Sequence, residues 1–116
     1  MNRSRIGWLG IVALVALSAG CFRNTVSKIE LKIPAMKTEA CSQAVQAAIV
    51  RLGGEGAIQD IAPDLGTQTI WVTYDNVRLG RRNIEVAVRN AGFTVNDLPA
   101  DPEARDKLSA ECRGDE

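Results

Sequence analysis

The chain has 116 residues, with 14 basic and 14 acidic side chains, three cysteines and no histidine. A chain of this length accommodates one small domain. The missing imidazole excludes His-ligated metal sites, Ser-His and Cys-His nucleophiles and histidine proton shuttles, so the chain reads as a binding protein and not as an enzyme.

Residues 1–20 read as an export signal. Arg3 and Arg5 form a positive n-region, Ile6 to Leu17 an apolar h-region, and Ser18-Ala19-Gly20 the small residues of a cleavage site. At 12 residues the apolar stretch is short of the ~20 that a membrane-spanning helix needs. Cys21 directly follows Ala19-Gly20, the layout of a lipobox, so cleavage is expected before Cys21, leaving it as the lipidated first residue. Several acyl chains together, each gaining ~0.8 kcal/mol per buried methylene, give stable anchoring in a lipid membrane. Phe22 after the cysteine, where Asp would mark inner-membrane retention, matches outer-membrane sorting. The expected location is the periplasmic or cell-surface side of a membrane. Losing Arg3 and Arg5 leaves 12 basic against 14 acidic residues, a net charge of −2. Such a balance attracts neither nucleic acid nor an anionic lipid surface. With Cys21 acylated in an oxidising compartment, Cys41 and Cys112 are the two thiols left to form a disulfide.

Residues 21–27 make the lipidated cysteine and a short tether. Lys28 to Pro34 alternates, with Ile29, Leu31 and Ile33 on one face, and reads as a half-buried strand stopped by Pro34. The period turns helical from Thr38 to Leu52, where Cys41, Ala44/Val45, Ala48 and Leu52 share a stripe that Gly53-Gly54 end. Ala57 to Ala62 and Thr69 to Tyr74 predict a hairpin turning at Pro63-Asp64-Leu65-Gly66, with Ile70, Val72 and Tyr74 facing one way. A second amphipathic helix is predicted over Leu79 to Ala91, with Ile84, Ala87/Val88 and Ala91 inward and Gly92 at its C-cap. A last strand, Phe93 to Leu98, precedes Pro99. Residues 99–116 are a charged tail with one helical turn at Glu103 to Leu108. The order β-α-β-β-α-β over residues 28–98 predicts an α+β ferredoxin-like domain, one antiparallel sheet with two helices on one face.

The segment Ile33-Pro34-Ala35-Met36-Lys37-Thr38-Glu39-Ala40-Cys41 resembles the metal loop of heavy-metal-associated (HMA) domains, whose motif reads G-M-T-C-x-x-C. Gln68 to Asp75 and Val86 to Phe93 resemble that family's third strand and second helix. The resemblance implies a ferredoxin-like metallochaperone or periplasmic mercury-binding type of domain, taking a soft ion such as Cu(I) or Hg(II) and partnering a metal transporter or another metal-binding domain. Aligned on Met36, however, the first metal cysteine falls on Thr38, the motif glycine is Ala35, and only Cys41 survives of the thiolate pair. A threonine hydroxyl is a hard, neutral donor and does not replace a thiolate for a soft metal. The tail through Glu111-Cys112 resembles tails of exported members that end in a Cys-Cys pair, here reduced to one sulfur.

Two readings therefore stay open. In one, Cys41 and Cys112 bind a soft metal that the protein captures or delivers at the membrane. In the other, the scaffold is a non-metal-binding interaction module and the two cysteines form a structural disulfide. Cys41, in the first helical turn near Lys37, is placed to ionise. Thr38 reads as the helix N-cap, Met36 as a core plug beneath the loop, Arg81-Arg82 as a solvated helix start, and Trp71 as packed on the sheet. Asp101, Glu103, Asp106 and Glu111 lack the spacing of a calcium loop.

Overall fold

The computed structural model describes residues 25–113. The expected export signal and the expected lipidation site, Cys21, lie outside the described residues. No helix among the described residues is long and apolar enough to cross a membrane.

Three strands and two long helices form as the periodicities dictate. Strands β1 (Val26–Lys32), β2 (Ile58–Asp64) and β3 (Thr69–Asp75) make an antiparallel sheet of order β1-β3-β2. Helices α1 (Glu39–Val50) and α2 (Arg81–Asn90) cover one face. The core between the layers is built from Leu31, Ile70 and Val72 of the sheet and Val45, Ile49, Ile84 and Val88 of the helices, all buried. The opposite parity of each strand faces away from the helices. There Lys28 reaches across the sheet to Trp71, its Nζ 5.4 Å from the ring centroid, so the indole lies on the open face at 39% exposure.

The hairpin turns two residues later than its composition suggests. Pro63 lies inside β2, opposite Ile70, and the turn occupies Leu65 to Gln68. A proline is tolerated there because β2 is an edge strand and no ladder bond is asked of its nitrogen. Asp64 Oδ1 accepts from the Gly66 and Thr67 amides at 3.0 and 3.3 Å, which fixes the turn. At the other end of β3, Asp75 Oδ1 accepts from the Val77 amide and Oδ2 from Arg78 Nε, both at 2.9 Å. The Arg78 hydrogen bond, and after it the Val77 amide, hold the Asp75 carboxyl below its ordinary value of 3.8. A depressed folded pKa gives stability that is present above the unfolded value and lost as pH falls through the folded one. Acid unfolding below pH 3.8 is therefore expected to be steeper in the wild type than in Asp75→Asn; superimposable acid curves would contradict this.

The fourth strand does not form. Phe93 and Val95 are buried as an inward-facing alternation requires, yet Val95 and Leu98 bond to each other at 3.0 and 2.8 Å and close a tight turn. Asn96 causes the reversal. It adopts φ 49°, a left-handed conformation that asparagine accepts more readily than most residues. Its backbone amide donates to Lys32 O and its Oδ1 accepts from Lys32 N, both at 2.9 Å. Its Nδ2 donates to the buried Glu85 carboxylate at 2.7 Å. Arg81 and Arg82, both solvated, stand 3.8 and 3.6 Å from the same carboxylate. One side chain thus ties the end of β1 to α2, and the chain leaves the sheet after a single step.

The segment after residue 98 is no loose tail. Helix α3 (Pro102–Asp106), capped by Asp101 through the Ala104 amide at 3.1 Å, packs back on the end of α2. Asp101 N donates to Arg89 O at 3.0 Å. The close approach is at Gly92, where α2 ends in a reciprocal C-terminal motif: Gly92 N donates to Arg89 O and Phe93 N to Val88 O. Gly92 has φ 102°, and a Cβ there would come within 2.8 Å of the Ala104 carbonyl carbon and Arg105 nitrogen. Leu108 then packs on the core, and a 3-10 turn, Ala110–Cys112, delivers the last cysteine to α1.

Candidate metal centre

The centre is assembled from the β1–α1 loop and the folded-back C-terminal segment. Ile33 N donates to Gln68 O at 2.8 Å, pinning the loop to the hairpin, and Met36 N donates to Ile33 O at 3.0 Å. This tight turn drives the Met36 side chain inward, where it is fully buried beneath the loop. Thr38 follows in extended conformation (φ −126°, ψ 162°) and caps α1, its Oγ1 accepting from Cys41 N at 3.3 Å. That hydroxyl also donates to Cys41 Sγ at 3.1 Å. The side chain standing where the resemblance expects a first cysteine therefore lies against the remaining sulfur.

Cys41 occupies the third position of α1 and is fully buried. Cys112 is 4% exposed and forms a disulfide with Cys41, their Cα atoms 5.4 Å apart. The structure thus brings together the two cysteines singled out in the sequence. Glu111 joins them: its carboxylate and the two sulfurs all lie within 4.8 Å of one another, with Glu111 itself exposed. In the sequence Glu111 stands where the tail resemblance has a first cysteine, and among acidic residues that lack the spacing of a calcium loop. The signal for its role was its adjacency to Cys112, which carries weight only once the 3-10 turn is known. A cavity of about 450 Å³ opens between the loop and the folded-back segment, with Lys37 on one wall and Arg105 and Arg113 on the other. Arg105 Nε also donates to Arg113 O at 2.7 Å, bracing the chain around Cys112.

Chemically the arrangement has two states. Closed, the disulfide carries no thiolate and offers a metal only the weak sulfur and carboxylate acceptors. Opened by two electrons and two protons, it presents two thiols whose deprotonated forms are soft donors, with a carboxylate beside them.

The fold is the ferredoxin-like one of the HMA-domain structures that the chain resembles. The chain is similar to the structure of oxidised MerP from Ralstonia metallidurans CH34, with 21% identity and a TM-score of 0.55 over 61% of this chain and 94% of that one. It is similar also to the putative copper-ion-binding protein of Bacillus anthracis strain Ames, at 19% identity and TM-score 0.56 over 64% of this chain and all of that one. A copper-binding domain of the P-type ATPase HMA7 gives 23% identity and TM-score 0.54, covering 60% and 89%. No protein-family model and no curated protein matches the sequence.

Proposed function

We propose that this protein is a membrane-anchored, extracytoplasmic metal-binding protein that captures or passes on a soft ion of the copper or mercury type. Cys41 and Cys112 in their reduced form supply the thiolates. The observation that carries the reading is the meeting of these two sulfurs and the Glu111 carboxylate at one corner of an HMA-like fold. The similar structures named as a copper-binding ATPase domain and a copper-ion-binding protein support the metal class. The same likeness makes a metal transporter or a second metal-binding domain the natural exchange partner. Anchoring rests on the Cys21 lipobox, and mass spectrometry of the N-terminal peptide from the native host tests it: an unmodified Cys21 ends that part of the proposal. The lack of histidine supports a binding role over a catalytic one.

The test is a competitive titration. In a Cys21→Ala background, thiols are counted before and after reduction, and the reduced protein is titrated with Cu(I) against a chelator. One ion per chain is expected, with the competition lost in Cys41→Ser, in Cys112→Ser and in the oxidised protein. A reduced protein that takes no Cu(I) from the chelator refutes the proposal. One specific observation favours a second reading, an interaction module held by a structural link: both sulfurs are buried in the disulfide, at 0% and 4% exposure. That reading requires the reduced protein to bind no metal and the disulfide to persist in the isolated protein.

A further inference from the structure

The missing fourth strand leaves β1 at the edge of the sheet. Thr25 O accepts from Asn76 N and Ile33 N donates to Gln68 O on the β3 side, so odd-numbered residues of this strand turn their main chain toward β3. The even-numbered ones turn theirs outward, as the bonds between Lys32 and Asn96 show. Asn96 satisfies Lys32 alone. The main-chain N–H and C=O groups of Lys28 and Glu30 point to an edge beside which no described strand lies. Such an edge is a template for another strand.

We propose that this edge pairs with the β1 edge of a second copy, antiparallel about a two-fold axis through Ile29. The sequence of β1 selects that occupant and that register. With the axis at Ile29, Lys28 of each copy stands opposite Glu30 of the other, and the two pairs exchange four main-chain hydrogen bonds. Both side chains lie on the open face of the sheet, where opposite charges directly across a ladder attract. The two Ile29 residues meet at the axis in a non-hydrogen-bonded pair, where side chains approach most closely. Each is packed only partly against the core in the single chain, so the contact covers apolar surface on the helix side. Moving the axis to Glu30 sets Glu30 against Glu30 and Lys28 against Lys32, and the main chain of Lys32 is already engaged by Asn96. Moving it to Ser27 sets Lys28 against Val26 and gives Glu30 no opposite charge. An axis at Leu31 would set Glu30 against Lys32, but it needs the Lys32 main chain that Asn96 occupies, so the Ile29 register alone is both complementary in charge and open to pairing. Because Asn96 blocks the ladder at Lys32, the interface is short and the dimer weak, forming in a concentration-dependent way.

Sedimentation equilibrium of the full chain in a density-matched detergent, with charge exchange, tests this. Lys28→Glu and Glu30→Lys each turn two attractive pairs into two repulsive ones and are expected to weaken dimerisation on the order of tenfold. The double variant Lys28→Glu/Glu30→Lys restores the complementary register and is expected to recover the dimer. Backbone amides of Lys28 and Glu30 should gain hydrogen-exchange protection as concentration rises. A chain that stays monomeric to about 1 mM overturns the proposal. So does a dimer indifferent to the single reversals, which would arise through another surface, or single variants that the double does not rescue, which would mark a defect within the subunit, such as loss of the Lys28–Trp71 contact.

Discussion

Replacing Cys41 or Cys112 by serine is expected to lower the unfolding free energy by about 4 kcal/mol, and reduction of the wild-type protein by a similar amount. The link joins residues 71 apart in sequence, so it removes a long loop's worth of freedom from the unfolded chain. Chain entropy for a loop of that size gives the figure, near the upper end of what single disulfides contribute. For a domain this small, whose core buries a modest share of its surface, that is a large part of the whole stability. Denaturant unfolding of four samples measures it: oxidised and reduced wild type, and the two serine variants. Coincidence of the last three, all well below the first, is the expected pattern. Unfolding midpoints that are unchanged on reduction would mean that packing alone holds the C-terminal segment. In that case the reduced centre is already organised and metal binding costs little rearrangement.

Gly92→Ala is expected to be the most damaging single substitution outside the core, at roughly 2–4 kcal/mol. Two independent causes add. The residue has φ 102°, where a Cβ is strained by about 1–2 kcal/mol. The same Cβ would meet the backbone of Ala104 and Arg105 at 2.8 Å, and backbone in a helical turn cannot step aside as a side chain can. The damage should concentrate where the contact is. Limited proteolysis is expected to cut between residues 99 and 113 first, with the disulfide retaining the cut fragment until reduction. Equal protease resistance of wild type and variant would show that α3 is not seated against Gly92 in solution.

The sheet and both long helices were legible because each presents one buried face. Ile29 and Leu31, then Ile70, Val72 and Tyr74, alternate as a half-buried strand must, and the glycines at 53, 54 and 92 close the helices. Thr38 and Met36 were legible for local reasons: a cap needs an oxygen at the helix start, and a loop over a core needs a plug. What escaped depended on contacts distant in sequence. The strand character of Pro63 is decided by its place at the sheet edge, and composition alone assigned it to the turn. Phe93 to Leu98 alternates well enough for a strand, but Asn96 finds better partners in Lys32 and Glu85 than a continued ladder offers. The centre was half legible. Counting thiols singled out Cys41 and Cys112 as a pair that holds either a metal or a disulfide, whereas the place of Glu111 came only with the 3-10 turn that sets its carboxylate beside the sulfurs.

The Cys41–Cys112 bond also divides the described chain mechanically. Nearly everything from α1 to the last 3-10 turn lies inside one covalent ring, and β1 is the single strand outside it. Tension applied between residue 26 and residue 113 is carried by the β1–β3 ladder until that ladder parts. The slack then released spans residues 26–41 alone, roughly 50 Å of extended chain. After that the load runs through the sulfur–sulfur bond and bypasses the remaining sheet and helices, so an oxidised molecule stretched at its ends sheds one strand and keeps the rest. Reduction turns the same molecule into an ordinary extensible polymer.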